Sequence, residues 1–313
     1  MSRRSHGARW RTFAALAWAM LFLTGPPSRA AVVRQTPEQK IFKTDLNPRL
    51  LTYLYAPQGE ARGTPVVFFS GEFGWRPLQQ DTASFLASTG RLVIGLDSQV
   101  YFKDVISGPD MATDLAQFRD FANERSGRTK ESPVILIGFA WGAEMVPYVL
   151  NRIGSPTARG AVLIAPDKDG ANRFRVGIQL RMEAQSDERF DVEAELRRMP
   201  LIPTVLMKGT LDTQSTADVL AKAPRGPHRF VPVVGGDRQF HEVRDGFFTV
   251  LADALHWIDA TLPAPSARPG APAAAKPGAS FGGTVSPTPG GTAPGTPAPA
   301  APDPTPEATP AGH

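Results

Sequence analysis

Seven short apolar runs, rich in β-branched and aromatic residues, punctuate the middle of the chain: Leu50–Tyr55, Pro65–Ser70, Arg91–Asp97, Pro133–Phe139, Gly160–Pro166, Thr204–Lys208 and Arg229–Val234. Between them lie amphipathic stretches. In Met111–Glu124 the residues Met111, Leu115, Phe118 and Phe121 recur at three- and four-residue spacing, which gives one apolar face and predicts a helix. Helices are likewise predicted over Pro77–Ser88, Trp141–Arg152, Thr216–Ala223 and Glu242–Thr261. Strand-like runs alternating with helices point to an α/β fold, with a mostly parallel sheet and helices on both faces. Asp167–Met199 interrupts the alternation with charged and mixed sequence, and predicts an excursion over the strand ends rather than another core unit. No internal repeat is apparent.

The two ends differ from this middle. Arg3, Arg4, Arg9 and Arg11 precede an apolar run from Phe13 to Leu23, and Ser28-Arg29-Ala30 forms a small-x-small cleavage site, so residues 1–30 read as a secretory signal peptide. The apolar run is shorter than the ~20 residues of a spanning helix, which disfavours an uncleaved anchor and predicts no integral membrane span after cleavage. Export to the periplasm is the expected localisation. Arg3-Arg4 also fits a twin-arginine signal, although paired arginines are common in any basic leader. Pro263–His313 carries fourteen of the 31 prolines and almost no large apolar residue, so a disordered tail is expected. The domain of interest is then 31–262, long enough for one sizeable core.

Charge and cysteine content narrow the chemistry. Without residues 1–30 the formal charge falls from +4 to −1, with 29 basic residues against 30 acidic, so no nucleic-acid partner is expected. The absence of cysteine excludes thiol catalysis, Cys-ligated zinc and a disulfide scaffold. There is no His-Glu-x-x-His and no Gly-Lys-Ser/Thr phosphate loop, and no metal or cofactor is expected.

The most informative stretch is Val134-Ile135-Leu136-Ile137-Gly138-Phe139-Ala140-Trp141-Gly142, a buried strand entering a helix through Gly-x-Ala-x-Gly. In the nucleophile elbow of α/β-hydrolases the central residue is Ser, in a strained turn that needs both glycines. Here Ala140 stands at the nucleophile position, and a methyl group cannot attack a carbonyl. Other pieces follow in the chain order of that fold. The turn Ser70-Gly71-Glu72-Phe73-Gly74-Trp75 comes after an early strand, where Gly71, Glu72 and Trp141 would line an oxyanion pocket. Asp212 follows a late strand as a candidate triad acid, and Gly235-Gly236-Asp237-Arg238-Gln239-Phe240-His241 follows the last. Each has a plainer reading: Asp212 as a helix cap, His241 as an exposed residue at a helix start.

Four ordered segments resemble the bacterial virulence proteins VirJ and AcvB: Ser70–Trp75; Gly95-Leu96-Asp97-Ser98-Gln99-Val100-Tyr101-Phe102; Gly138–Pro147; and the loop beginning at Gly235-Gly236. The resemblance spans roughly Phe68–Phe248. It implies an exported α/β-hydrolase fold, associated in that family with virulence, type IV secretion and, for AcvB-like members, hydrolysis of aminoacylated phosphatidylglycerol. This chain departs from the family at Lys103, where a Trp is usual, at Ala140 in place of the elbow Ser, and at Asp237-Arg238 in place of a His-His pair, with His241 displaced beyond Phe240.

Three functions follow. The first is a non-catalytic periplasmic binding or assembly factor on a hydrolase scaffold, with an envelope protein or lipid ligand as partner. The second is a hydrolase with remodelled chemistry, acting on aminoacylated phosphatidylglycerol or another ester, in which Ser70 or Ser98 attacks, His241 is the base and Asp212 orients it. The third is a structural envelope protein anchored through its tail.

Overall fold

A computed structural model of the chain describes residues 34–41, 50–153, 157–179 and 187–261. The leader at 1–30 and the tail at 263–313 lie outside the described residues. The elements run, in chain order, β1 (Glu38–Ile41), β2 (Leu51–Tyr55), β3 (Val66–Phe69), α1 (Pro77–Ser88), β4 (Val93–Leu96), α2 (Ser98–Tyr101), α3 (Gly108–Arg125), β5 (Val134–Phe139), α4 (Trp141–Ile153), β6 (Ala158–Ile164), β7 (Asp169–Ala171), α5 (Val176–Gln179), β8 (Arg189–Asp191), α6 (Val192–Arg198), β9 (Thr204–Gly209), α7 (Ala217–Leu220), β10 (His228–Val233) and α8 (Arg244–Thr261).

Eight strands form one sheet in the order β1-β2-β4-β3-β5-β6-β9-β10. From β4 to β10 every pair is parallel; β2 joins β4, and β1 joins β2, antiparallel. The inner strands are buried along their whole length, as a sheet covered on both faces requires. Alternate residues serve opposite faces. Val67, Phe69 and Leu136 pack towards α3, α4 and α6, whereas Val66, Phe68, Ile135 and Ile137 pack towards α1 and α8.

The chain passes from β3 outward to β4 and then returns across β3 to β5, so the order reverses between β3 and β5. In open α/β sheets ligands bind beyond the carboxyl ends of strands at such a switch point. The two loops that leave there are Ser70–Trp75 and the elbow at Ala140.

All seven predicted runs begin and end within two residues of an observed strand's bounds; Arg91–Asp97 starts two residues before β4. The helix expected over Thr216–Ala223 shortens to the single turn of α7. The expectation for Asp167–Met199 needs correcting. Its first part, β7, pairs antiparallel with β8 outside the main sheet, but Val192, Leu196 and Met199 in and after α6 are buried in the same cluster as α3 and α4, so the segment contributes core.

Candidate functional site

Ala140 has φ 50, in the left-handed region that costs an L-residue about 1–2 kcal/mol. The turn is fixed from both sides: the Ala140 amide donates to the Ile164 carbonyl at 2.8 Å, and the Ala140 carbonyl accepts from the Ala143 amide at 2.8 Å. A Cβ on Gly138 would lie 2.4 Å from the Gly142 carbonyl oxygen, and one on Gly142 would lie 2.2 Å from that of Ser70. Both glycines are therefore steric requirements of the turn, as the sequence pattern predicts. The residue held above the sheet is a fully buried alanine.

The loop after β3 is stitched to the loop after β4. Ser98 donates its amide to Ser70 Oγ at 2.9 Å and its hydroxyl to the Ser70 carbonyl at 2.7 Å. A Cβ on Gly95 would meet the Trp75 ring at 2.2 Å, and the Trp75 indole donates to the Tyr55 hydroxyl at 3.1 Å. Thus two of the four recognisable sequence segments are one packed unit. Ser70 and Ser98 are fully buried, and their hydroxyls serve this stitch.

At the oxyanion position the Trp141 amide begins α4. It donates to Glu72 Oε2 at 3.5 Å, which brings together two of the residues expected to line an oxyanion pocket. The sequence places Glu72 beside the pocket; it gives no sign that the side chain enters it. Gly71 packs close to the elbow, and a Cβ there would be 3.4 Å from Ala140 Cβ. Nearby Glu144, one turn into α4, is buried and accepts from the Asp167 amide at 3.2 Å. Burial, then the proximity of Glu72, pushes its carboxyl well above the usual glutamate range. The sequence assigns Glu144 no function: an acid in the first turn of α4 is visible there, but its burial beside Glu72 is set by the fold.

Asp212 stands after β9, with Oδ1 accepting from the Gln214 and Ser215 amides at 2.9 and 3.2 Å. This is the cap-like arrangement that the sequence allows. Its Oδ2 faces Arg238 Nη1 at 3.6 Å, and neither atom makes a hydrogen bond. The loops carrying them pack directly: the Leu211 amide donates to the Gly236 carbonyl at 2.9 Å, and a Cβ on Gly209 would lie 2.1 Å from that oxygen. Arg238, rather than His241, is therefore the residue beside Asp212, the candidate acid.

His241 goes elsewhere. Phe240, with φ 54, is buried against Phe247, and the turn it makes sends His241 outward. Its Nδ1 pairs with Asp237 Oδ2 at 2.8 Å, and its side chain is 63 % exposed. It lines, with Val234, Val243 and Arg244, an open groove of about 610 Å³ that no elbow residue borders. Among the described residues no hydrogen bond links Ser70, Asp212 and His241, so the relay expected of a remodelled hydrolase is not assembled; each is bonded to a different partner. No set of three or more His, Asp or Glu side chains among the described residues is arranged to hold a metal ion.

Several of the solved structures similar to this fold are esterases. They include the esterase domain of a Rhodothermus marinus protein (TM-score 0.51, 17 % identity, 72 % of this chain and 98 % of that one) and Est1E of Butyrivibrio proteoclasticus (0.51, 11 %, 72 % and 100 %). The apo form of Thermogutta terrifontis esterase 2 matches with TM-score 0.50 and 17 % identity over 75 % of this chain and 98 % of that one. At these identities the likeness establishes the α/β-hydrolase fold. No curated protein matches. The model of the bacterial virulence protein VirJ matches residues 64–255, well over half of the chain, and includes the elbow, Asp212 and the Gly235–His241 loop. The chain belongs to the VirJ family of bacterial virulence proteins.

Proposed function

We propose that this VirJ-family protein is an exported, non-catalytic binding or assembly factor that uses a hydrolase scaffold without serine-hydrolase chemistry. The observation that carries this reading is Ala140 itself: the backbone strain of a nucleophile elbow is retained, with φ 50, around a side chain that has no nucleophilic atom. Loss of the nucleophile alone costs such enzymes about a millionfold in rate. Arg238 beside Asp212 supports it, because a guanidinium stays protonated and cannot act as the general base. The remodelled-hydrolase reading lacks comparable support, since the hydroxyls of Ser70 and Ser98 hold two loops together and the His241 side chain faces solvent.

Residues 1–30 are proposed as the export signal, on the strength of Arg3, Arg4, Arg9 and Arg11, the Phe13–Leu23 run and Ser28-Arg29-Ala30. No helix among the described residues is long and apolar enough to cross a membrane. The deciding experiment is fluorophosphonate labelling and ester hydrolysis by the purified wild-type chain, for which no reaction above background is expected. Mass spectrometry of the native protein tests export: a chain starting near Ala31 is the expected result.

A further inference from the structure

We propose that the outer edge of β10 docks a partner protein through an extended, acidic segment that adds a strand to the sheet. β10 ends the eight-stranded order and pairs with β9. Its inner side is fixed by two bonds, from the Thr204 amide to the Pro227 carbonyl at 2.9 Å and from the Thr210 amide to the Val233 carbonyl at 3.0 Å. Main-chain groups alternate sides along a strand, so Arg229 and Val231 also face β9, whereas His228, Phe230 and Pro232 present theirs to the outside. Pro232 has no N–H to give. The amides of His228 and Phe230 and the carbonyls of all three residues remain for an added strand.

The side chains agree with an open edge. Arg229, which lies 4.4 Å over the Trp257 ring, faces α8 together with Val231 and Val233. His228, Phe230 and Pro232 take the opposite face and are exposed, Phe230 by 37 %. Charge sets the class of partner. From Val219 to Gly236 the chain carries Lys222, Arg225 and Arg229 and no Asp or Glu, and all three cations are exposed. Lys208, beside Pro232 in register, is already paired with Asp218 at 2.9 Å and leaves this balance unchanged. An Asp- or Glu-rich segment is therefore attracted by charge, while main-chain pairing supplies the affinity. A second copy of this chain fits less well. Its β10 carries the same positive charges, and two such edges paired antiparallel about Phe230 would set Pro232 opposite His228 at both ends, losing two main-chain bonds. The edge lies three strands from β5 and owes nothing to the chemistry at Ala140.

The full chain, labelled with nitrogen-15, is titrated with three end-blocked heptapeptides: Asp-Val-Glu-Val-Asp-Val-Glu, the same peptide with Lys at every acidic position, and the acidic peptide N-methylated throughout. The His228 and Phe230 amide resonances report pairing. We expect the acidic peptide to shift both, to slow their hydrogen exchange, and to bind at least tenfold more tightly than either control, with affinity falling as salt is added. Lys222→Glu combined with Arg225→Glu, both exposed and outside any strand, should weaken it at least tenfold with an unchanged melting temperature. Equal binding of the acidic and lysine peptides, or of the N-methylated form, would overturn the proposal, as would no binding at millimolar concentration or shifts confined to residues away from β10. Shifts of the same two amides on raising protein concentration alone, with a dimer in sedimentation, would assign the edge to a second copy instead. Shifts produced by phosphatidylglycerol vesicles and not by the acidic peptide would assign it to a membrane, and either result would overturn the peptide reading.

Discussion

Arg238 stands beside Asp212, the candidate acid: Nη1 and Oδ2 are 3.6 Å apart, with the aspartate side chain 1 % and the arginine side chain 17 % exposed. The consequence is electrostatic. A buried carboxylate that would orient a base instead balances a permanent cation, and removing either partner leaves the other charge poorly solvated.

Arg238→Met should therefore destabilise the fold by about 1–3 kcal/mol, the cost of leaving a buried charged group short of a partner. Asp212 keeps its two backbone bonds, which limits the loss. Pairing Arg238→Met with Asp212→Asn should recover part of it. Denaturant melts of the two single variants and the double variant measure the coupling, and strict additivity would show that the pair does not interact.

The elbow strain gives a prediction of opposite sign. Ala140→Gly relieves a φ of 50 and should stabilise the protein by about 1 kcal/mol, as glycine does in the left-handed region. Gly142→Ala should destabilise by about 1–3 kcal/mol or more, because the new Cβ would meet the Ser70 and Phe69 carbonyl oxygens at 2.2 and 2.6 Å. Both are read from urea midpoints.

Glu144 predicts a pH dependence. Its folded pKa lies above the unfolded value, so the native state binds the extra proton between them and stability falls as pH rises from about 4.5 through the folded pKa. Glu144→Gln retains an acceptor for the Asp167 amide and needs no proton. It should raise the melting temperature at neutral pH, by about 2–4 °C for each kcal/mol relieved in a domain of this size. The advantage should vanish below about pH 4.5. An advantage that grew on acidification would contradict the assignment.

Ser70→Ala should cost about 1 kcal/mol through loss of the acceptor for the Ser98 amide, with no effect on any residual hydrolysis. Calorimetry and an ester assay on the same preparation separate the two roles.

The sheet was legible because strands such as β5, buried on both faces, must be continuously apolar, and because a Gly-x-Ala-x-Gly turn admits few backbone paths. The resemblance puts Arg238 at a position where the family has histidine, and the structure sets it beside Asp212. Other features left little trace. β1 pairs only at an edge, so nothing compels a continuous apolar run there. The core role of Val192, Leu196 and Met199 was hidden among charges at neighbouring positions, where Asp191 caps and Glu195 pairs with Arg152 and Arg198. Glu72 was named as pocket lining, but its entry into the oxyanion position depends on the Gly71–Gly74 turn bringing its side chain back towards α4. No local pattern encodes that return. His241 takes its plainer reading, an exposed residue near a helix start, because the buried Phe240 at φ 54 reverses the direction in which the next side chain leaves the backbone.

The central claim is that a hydrolase elbow persists here without hydrolase chemistry, and fluorophosphonate labelling with parallel ester hydrolysis tests it most directly. Wild type, Ala140→Ser, and Ala140→Ser combined with Arg238→His are compared. The account predicts an unlabelled wild type, little activity for Ala140→Ser alone, since no base adjoins the new hydroxyl, and measurable labelling in the double variant. Robust labelling and turnover by the wild type, abolished by Ser70→Ala, would contradict it.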